Sequence, residues 1–506
     1  MHRTDQQVEK LARGPIFAER PDGSTTLSLR RSFSAEPAQD RDGAARERGR
    51  RRKVLVIASR FPPVASVGAT RVRKFVKYLG RFGWDAVVIT GAMRRGGGSM
   101  SDGRRATDHE SLIDLPPEIH VHRLSGVLDN WPNIVSRVTG AWLSRATGPL
   151  GLDEAWWSAR LKWRLQRLHD RLSFPDRGIW RFCGAVKAAL RLHRLHRFDA
   201  IFSSGMPFSD HLVGLAVRSL IRLPWLVDFR DPWVEYIHWQ QWQSDWGHRL
   251  TKWCESAVVR KASFVVSVNG RMTRRFSHRY GRRHRSKFVT IANGFDPADF
   301  PPHVRRRPRT CFRLLHAGSL YKTRSPQKVL EAFRRFIREV PGSVRHARFE
   351  FAGRPGPHME EFNRPEDHGT IQYVGHLSHA KALEAMTTAD VNVILLPNLP
   401  GSNGDTTAKL YECLGCGRPI LAAIPLDGAA ADELRGFGDV WMRDPDDVDG
   451  LVEALRDLYR AWLSDGLERN RPAHGLKPMT RIYQAGQLAT LFGAAIAAGK
   501  RPRVRR

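Results

Sequence analysis

KVLVIASRFPPVASVGATRVRKFVKYLGRFGWDAVVITG, residues 53–91, begins with an apolar run that ends in a loop containing two prolines. Gly68 then stands at the start of a helical pattern, and a second apolar run, residues 84–91, closes the stretch. Short apolar runs bounded by Gly and Pro predict buried strands, and apolar residues three or four apart predict a helix. The order strand, loop, helix, strand is the βαβ unit, which builds a parallel sheet.

The same unit recurs along the chain in two series. The first series continues through FDAIFSSG, SDHLVGLAVRSLI, PWLVDFRDPW, ASFVVSVNG and KFVTIANGFD. The second series comprises CFRLLHAGSLYKTRSPQKVLEAFRRFI, FEFAGRPG, TIQYVGHL, ADVNVILLP and RPILAAIP. Two successive sets of βα units predict an α/β protein with two Rossmann-like domains.

Composition and these patterns together predict five parts of the chain. A junction is expected near residues 298–310, which are rich in Pro and Arg. The predicted parts are a basic, disordered leader at 1–50, a first Rossmann-like domain with a Trp- and Arg-rich helical insertion at 51–300, a second Rossmann-like domain at 301–475, a C-terminal helix at 476–495 and a basic tail at 496–506.

The net charge of +32 over 506 residues calls for an anionic partner or another explanation. Nucleic acid, anionic lipid headgroups and phosphorylated substrates are all compatible with it, although a strong Arg bias can also reflect coding composition. The sequence contains no zinc-finger spacing, RNA-recognition signature or basic region followed by heptads, so we expect no nucleic-acid partner.

Cysteine and hydrophobic patterns narrow the class of protein further. Of five cysteines only Cys413 and Cys416 are closely spaced, and without a second ligand pair they do not predict a zinc or redox site. The N-terminus lacks the apolar core of a signal peptide, and no apolar run is long enough to cross a bilayer. We therefore expect a cytoplasmic protein.

Residues 131–253 contain twelve of the fifteen tryptophans, mixed with arginines. Tryptophan beside basic residues suits the headgroup region of a membrane, but it also suits stacking on sugars and packing within the domain. Peripheral attachment at the inner face of the cell membrane is one hypothesis. It places Trp156, Trp157 and Trp163 at the headgroups and Arg160, Arg164 and Arg167, which recur at helical spacing, against lipid phosphates.

A second informative stretch is TTAKLYECLGCGRPILA, residues 406–422. Its pattern predicts a helix that begins after two threonines, ends at Gly417 and returns through Pro419 into a buried strand. A Gly- and Ser-rich loop precedes this helix. Because a helix N-terminus offers unpaired N–H groups and partial positive charge, the junction suits an anionic ligand such as a diphosphate, though an ordinary α/β turn has the same pattern.

Five motifs occur together, in the same order as in bacterial glycosyltransferases of family 4 (glycosyl transferase group 1). These motifs are FPPVASVGATRVRKFVKYL, DFRDPW, IANGFD, HAGSLYKTRSP and AKLYECLGCGRPILA, and MTRIYQAGQLATLF is similar to the family's crossover helix. The resemblance covers residues 53 to about 495. It implies the GT-B architecture, in which two Rossmann-like domains face a cleft and a C-terminal helix crosses back to the first domain.

The resemblance implies that the second domain binds a nucleotide-diphosphate sugar. Glu412 would accept hydrogen bonds from a ribose-like diol, which a carboxylate can do with both oxygens. By match to the family's basic pair, Lys322 and Arg324 are the catalytic candidates that stabilise the leaving diphosphate. The remaining donor-site candidates are Gly68, Gly318, Thr406, Thr407 and Lys409.

The acceptor side is assigned to the first domain, where ligands of open α/β sheets bind at the carboxyl ends of the strands. Its candidates are His211, Asp228, Arg230 and Asp231, and Arg230 could instead bridge its two aspartates as a structural knot. The implied reaction is retaining transfer to a glycan or lipid-linked acceptor in polysaccharide or glycolipid biosynthesis. It needs no cofactor or tightly bound metal, and the donor phosphate takes the acceptor's proton.

One departure from the family leaves other functions open. Many members have a glutamate eight positions before Glu412, where this chain has Gly404 followed by Asp405. The departure puts the sugar in doubt and is compatible with a non-catalytic binding subunit. A sugar-nucleotide epimerase shares the architecture, although the FPP loop and DFRDPW argue against it.

Overall fold

The computed structural model describes residues 17–19, 25–27, 50–64, 66–91, 114–124, 160, 163–165, 173–235, 245–281, 285–301, 310–362, 364–399, 402–467 and 473–499. The chain divides into two compact units. The first comprises Met1–Ile291 with Ala485–Arg506, and the second comprises Ala292–Gln484.

The first unit contains a parallel sheet of seven strands. Its strands are β3 (Arg52–Ile57), β4 (Trp84–Gly91), β5 (His120–Leu124), β6 (Ala200–Gly205), β7 (Trp225–Phe229), β8 (Phe264–Ser267) and β9 (Phe288–Thr290), in the order β5-β4-β3-β6-β7-β8-β9. A short antiparallel pair, β1 (Phe17–Glu19) and β2 (Thr25–Leu27), precedes them. The central strands are almost wholly buried, as expected where helices cover both faces of a sheet.

Local signals explain where the helices of this unit begin and end. The helices are α1 (Val67–Leu79), α2 (Phe182–His196), α3 (Ser209–Ile221), α4 (Asp245–Lys261) and α5 (Gly270–Tyr280). Ser66 caps α1 by accepting from the Ala69 N–H, and Asn269 caps α5 in the same way through Met272. Apolar faces of α2, α3 and α4 pack on the sheet around Trp225 and Trp233, which are both fully buried.

The second unit contains a parallel sheet of six strands. Its strands are β10 (Phe312–Ala317), β11 (Ala347–Ala352), β12 (Ile371–Gly375), β13 (Val391–Leu395), β14 (Ile420–Ala423) and β15 (Val440–Arg443), in the order β12-β11-β10-β13-β14-β15. Its helices are α6 (Gln327–Glu339), α7 (Ser343–His346), α8 (His379–Thr388), α9 (Ala408–Gly415), α10 (Ala429–Leu434), α11 (Val448–Leu463) and α12 (Ala473–Leu476). Separate apolar cores lie on the two faces of this sheet.

The turn between α9 and β14 follows the sequence prediction. Gly417 has φ +66°, a left-handed conformation that costs glycine little, and the chain enters β14 three residues later. Thr407 occupies the N-cap position of α9, but its side chain makes no capping hydrogen bond there. Only the backbone carbonyl of Thr407 serves this turn, by accepting from the Leu410 N–H at 3.2 Å.

The last described helix, α13 (Arg481–Gly499), begins in the second unit and continues as part of the first. Within the first unit, the ring of Phe492 packs against Trp84 at 4.9 Å between centroids and against Phe202 at 6.1 Å. The α/β prediction with two Rossmann-like units and a returning C-terminal helix is thus confirmed.

Candidate functional site

Asp228 lies at the end of β7 and is fully buried. Its carboxylate pairs with Arg71 of α1, which is also fully buried, at 2.9 Å between Nη2 and Oδ1. Ser204 donates a further hydrogen bond to Oδ2 at 2.8 Å. Burial alone would raise the pKa of Asp228, but the Arg71 guanidinium and the Ser204 hydroxyl lower it below its usual value, so the carboxylate is ionised.

Arg230, which could have bridged two aspartates, has different partners in the structure. Its Nε donates to the carbonyl of Gly205 at 2.8 Å, and its Nη2 donates to the carbonyl of Met206. A Cβ atom on Gly68 would lie 1.1 Å from Nη1 of Arg230. Gly68, predicted to approach the donor, thus makes room for this guanidinium, and the arginine that pairs with Asp228 is Arg71.

His211, an acceptor-side candidate, lies on α3 and is fully buried. Trp225 can only donate its indole N–H, and it does so to the Ser203 hydroxyl at 3.0 Å. The Ser203 hydroxyl also lies 2.9 Å from Nδ1 of His211, and either group can be the donor in that hydrogen bond. Burial lowers the pKa of His211 to about 3, so the imidazole is neutral near pH 7.

Asp210, next to His211 on α3, is a buried acid that the sequence analysis missed. It accepts from the Ser59 hydroxyl and the Ser59 backbone N–H, just beyond the end of β3. Burial raises its pKa to about 6. Its sequence neighbourhood resembles any amphipathic helix, so no local signal points to it. Asp231, the remaining acceptor-side candidate, is only partly buried. Burial lowers the pKa of Arg230, and the nearby charge of Asp231 opposes that shift.

The second unit brings three ionisable side chains together at α9. Glu412 has a side chain only 15% exposed, and Lys409, one turn earlier, pairs with Oε2 at 2.9 Å. His379, at the start of α8, contacts Oε1 through Nε2 at 2.9 Å. Burial would raise the pKa of Glu412, but Lys409 and His379 lower it to about 2. Glu412 is thus a fixed anion held by two basic side chains.

His379 is a further residue that sequence reasoning missed. It precedes Glu412 by 33 positions, and only the neighbouring placement of α8 and α9 brings the two side chains together. The pairing of Lys409 with Glu412, in contrast, follows from their spacing on one helix.

Arg324 and Lys322 follow β10 but differ in environment. Lys322 is exposed, whereas Arg324 is partly buried and burial lowers its pKa. No described residue accepts a hydrogen bond from Nε of Arg324. Asp405, beside Gly404, lies close enough for its charge to favour the charged form of Arg324. A partly desolvated guanidinium with a spare donor suits an anionic group.

The other donor-site candidates of the second unit, Gly318, Thr406 and Thr407, lie close in sequence to these charged residues. Gly318 follows β10 directly, and a Cβ on the neighbouring Gly353 would lie 1.9 Å from the Gly318 carbonyl oxygen. Thr406 and Thr407 precede α9. Of the predicted donor-site residues, Lys409 and Glu412 contact each other. His379, which was not predicted, also contacts Glu412.

Comparisons with known proteins agree with this architecture. Residues 67–294 match the glycosyl transferase 4-like domain. No curated protein matches the sequence significantly.

Solved structures resemble the fold at low sequence identity. Sucrose-phosphate synthase from Thermosynechococcus elongatus is 15% identical, with a TM-score of 0.53 over 88% of this chain and 100% of that one. HepE from Anabaena, solved with UDP-glucose, is 13% identical, with a TM-score of 0.54 over 87% and 99%. A putative UDP-N-acetylglucosamine 2-epimerase from Listeria monocytogenes is 11% identical, with a TM-score of 0.50 over 89% and 98%.

At these identities the structural likeness establishes the fold alone, which is the two-Rossmann-domain architecture of GT-B proteins. Residues 67–294, which is less than half of the chain, are therefore similar to a glycosyl transferase 4-like domain.

Proposed function

We propose that this protein is a retaining glycosyltransferase that moves a sugar from a nucleotide-diphosphate sugar to a glycan or lipid-linked acceptor, in polysaccharide or glycolipid biosynthesis. The observation that carries the proposal is the ionised Glu412 on α9, held between Lys409 and His379. A fixed carboxylate can accept hydrogen bonds from a diol, and nearby cations can bind the adjoining diphosphate.

In the proposed transfer step, the donor phosphate and the basic groups of the second unit have separate roles. The bond from the anomeric carbon to the donor phosphate breaks as the bond to the acceptor hydroxyl forms, and the donor phosphate takes the hydroxyl proton. The leaving diphosphate gains charge, which Arg324, Lys322 and the uncapped N-terminus of α9 offset. HepE and the trehalose-phosphate synthase from Burkholderia xenovorans were solved with UDP-glucose and glucose-6-phosphate, which is consistent with sugar substrates.

Incubation with radiolabelled UDP-, GDP- and dTDP-sugars tests the proposal directly. Transfer to an acceptor from a membrane or glycan extract, or slow hydrolysis without one, supports a transferase. An epimeric sugar nucleotide formed without acceptor favours the epimerase. Binding of a sugar nucleotide with neither reaction favours a non-catalytic subunit.

Replacing Glu412 with alanine is expected to weaken binding of the nucleotide sugar about tenfold or more, because a charged hydrogen-bond acceptor contributes roughly 1.5–3 kcal/mol. Isothermal titration calorimetry measures the change. Glu331→Ala serves as the control, since Glu331 is 58% exposed in an ion pair with Lys328 on α6. An unchanged dissociation constant for every sugar nucleotide that binds would remove Glu412 from the donor site.

We further propose that the first unit attaches to an anionic membrane, where a lipid-linked acceptor would be found. Trp246 and Trp253 on α4 lie seven positions apart, on one face, and are 69% and 62% exposed. Arg249 and Lys252 are exposed beside them. Exposed indoles flanked by cations suit the headgroup layer of an anionic bilayer.

Only some of the tryptophans and arginines that the sequence analysis placed at the membrane are among the described residues. Trp163 is 57% exposed, and Arg160 and Arg164 are described. Trp156, Trp157 and Arg167 lie outside the described residues. Among the helices of the described residues, none combines the length and hydropathy of a membrane span.

Liposome co-sedimentation is expected to show binding to anionic vesicles that weakens as salt rises, since each basic residue near the surface contributes about 1 kcal/mol before screening. The double variant Trp246→Ala/Trp253→Ala should bind roughly tenfold less at low salt, by loss of two aromatic contacts. Leu463→Ala, which removes a 61% exposed side chain from the second unit, is the control. Equal recovery of the protein in the supernatant with neutral and anionic vesicles would refute the attachment.

A further inference from the structure

His316, near the end of β10, has one ring nitrogen engaged and one without a partner. The ring is 5% exposed and lies parallel to Phe351 of β11, with 5.7 Å between centroids. Nδ1 lies 2.9 Å from the carbonyl oxygen of Val393 in β13. Because a carbonyl oxygen can only accept, Nδ1 carries the proton of the neutral ring, and Nε2 holds a lone pair.

The unpaired nitrogen faces the backbone that follows β10. Nε2 of His316 has no hydrogen-bond partner among the described residues. A Cβ on Gly318 would lie 3.1 Å from it, closer than nearly all real Cβ contacts, so the bare Cα of glycine leaves this side of the ring open. A buried acceptor without a partner is unfavourable, and it persists where a ligand supplies the missing contact.

The charges that act on His316 come from two other segments. Burial, followed by the positive charges of Arg324 and Lys409, lowers the pKa of His316 to about 4. Phe351 and Val393, which pack against the ring, carry no charge. The carboxylates of this region interact with these two cations, since Glu412 pairs with Lys409 and Asp405 lies near Arg324. The free protein therefore holds His316 neutral next to two cations.

We propose that His316 takes up a proton at Nε2 when the diphosphate of a nucleotide sugar binds, and then donates a hydrogen bond to a phosphate oxygen. This inference rests on the proposed function, which places the diphosphate at Arg324 and Lys409. Two negative charges there cancel the field that disfavours the imidazolium, and a phosphate oxygen supplies the acceptor that an Nε2–H needs. Binding of the donor is therefore linked to pH.

The proton uptake fixes the direction in which affinity for the nucleotide sugar changes with pH. At pH 6 the ring of the free protein is neutral, because its pKa is about 4. If the pKa of His316 in the complex lies at about 7 or above, binding at pH 6 takes up about one proton, and affinity rises as pH falls from 7 to 5 by at most about tenfold per pH unit. The intact nucleotide sugar has no phosphate that titrates in this range, so the proton comes to the protein.

Calorimetric titration with UDP-glucose, GDP-mannose and dTDP-glucose at pH 6, in MES, PIPES and imidazole buffers, measures the uptake. The slope of the observed enthalpy against the ionisation enthalpy of the buffer gives the number of protons taken up. We expect a slope near one for the wild type and near zero for His316→Phe, with binding at least tenfold weaker. His316→Gln, which retains polarity but cannot titrate, should also have a slope near zero.

His346→Gln is the matched control, because His346 of α7 is an exposed imidazole in the same unit that is not among the donor-site residues. It should retain the proton uptake. A zero slope in the wild type, an unchanged slope in both His316 variants, or loss of the slope in His346→Gln would overturn the inference. Failure of all three sugar nucleotides to bind would instead count against the proposed function.

Discussion

Asp228→Ala is expected to lower the free energy of unfolding of the first unit by about 3–5 kcal/mol, the largest stability effect expected here. Both Asp228 and its partner Arg71 are wholly buried, so the variant leaves a guanidinium in the core without its carboxylate. The Ser204 hydroxyl loses its acceptor at the same time. Urea unfolding followed by tryptophan fluorescence measures the change, since most tryptophans belong to this part of the chain.

Asp85→Ala is the matched control for this prediction. Asp85 lies on the same sheet and pairs with Arg51, but the two side chains are 43% and 56% exposed. An exposed pair contributes about 0–1 kcal/mol, so this variant should unfold close to the wild type. If Asp228→Ala were no more destabilised than Asp85→Ala, the buried pair would not contribute as we argue. The double variant Arg71→Met/Asp228→Leu, which removes both charges, should recover part of the loss.

Arg324→Ala is expected to reduce kcat by about 10²–10³, equivalent to roughly 2.7–4 kcal/mol, with a smaller effect on KM. Its partly buried guanidinium has an Nε–H without an acceptor among the described residues, and it lies where the proposed diphosphate gains charge. An interaction that strengthens as the sugar departs lowers the barrier more than it tightens binding. Steady-state kinetics measure both constants, with the sugar nucleotide that the incubation with radiolabelled donors identifies as the substrate.

Two lysine variants make this test specific. Lys322→Ala should reduce kcat in the same direction but less, because its side chain is exposed and water screens its charge. Lys328→Ala should have little effect, since Lys328 is 53% exposed and pairs with Glu331. Equal and small losses in all three variants would mean that Arg324 acts only as a solvated loop residue.

The part of the candidate site that depends on residues close in sequence could be predicted. Lys409 and Glu412 are one helical turn apart, so their contact follows from helix geometry alone. Gly417 and Pro419 predicted where α9 ends and β14 begins, because only certain residues suit a left-handed turn or interrupt a helix.

Contacts between distant residues could not be anticipated in this way. Arg230, between two aspartates in the sequence, looked like their natural partner, yet its donors go to the carbonyls of Gly205 and Met206. Arg71, whose partner Asp228 is 157 positions away, had no feature that distinguished it from the other basic residues of α1. His379 and His316 were missed for the same reason.

The sequence by itself determined the two series of βα units, their parallel sheets and the turn after α9, because these depend on hydrophobic periodicity and on the backbone preferences of glycine and proline. The tertiary structure alone decided which charged groups meet. Contacts such as Arg71–Asp228 and His379–Glu412 depend on which strands and helices become neighbours, and burial among those neighbours, together with the charges they bring, sets the protonation of Glu412, His211 and His316.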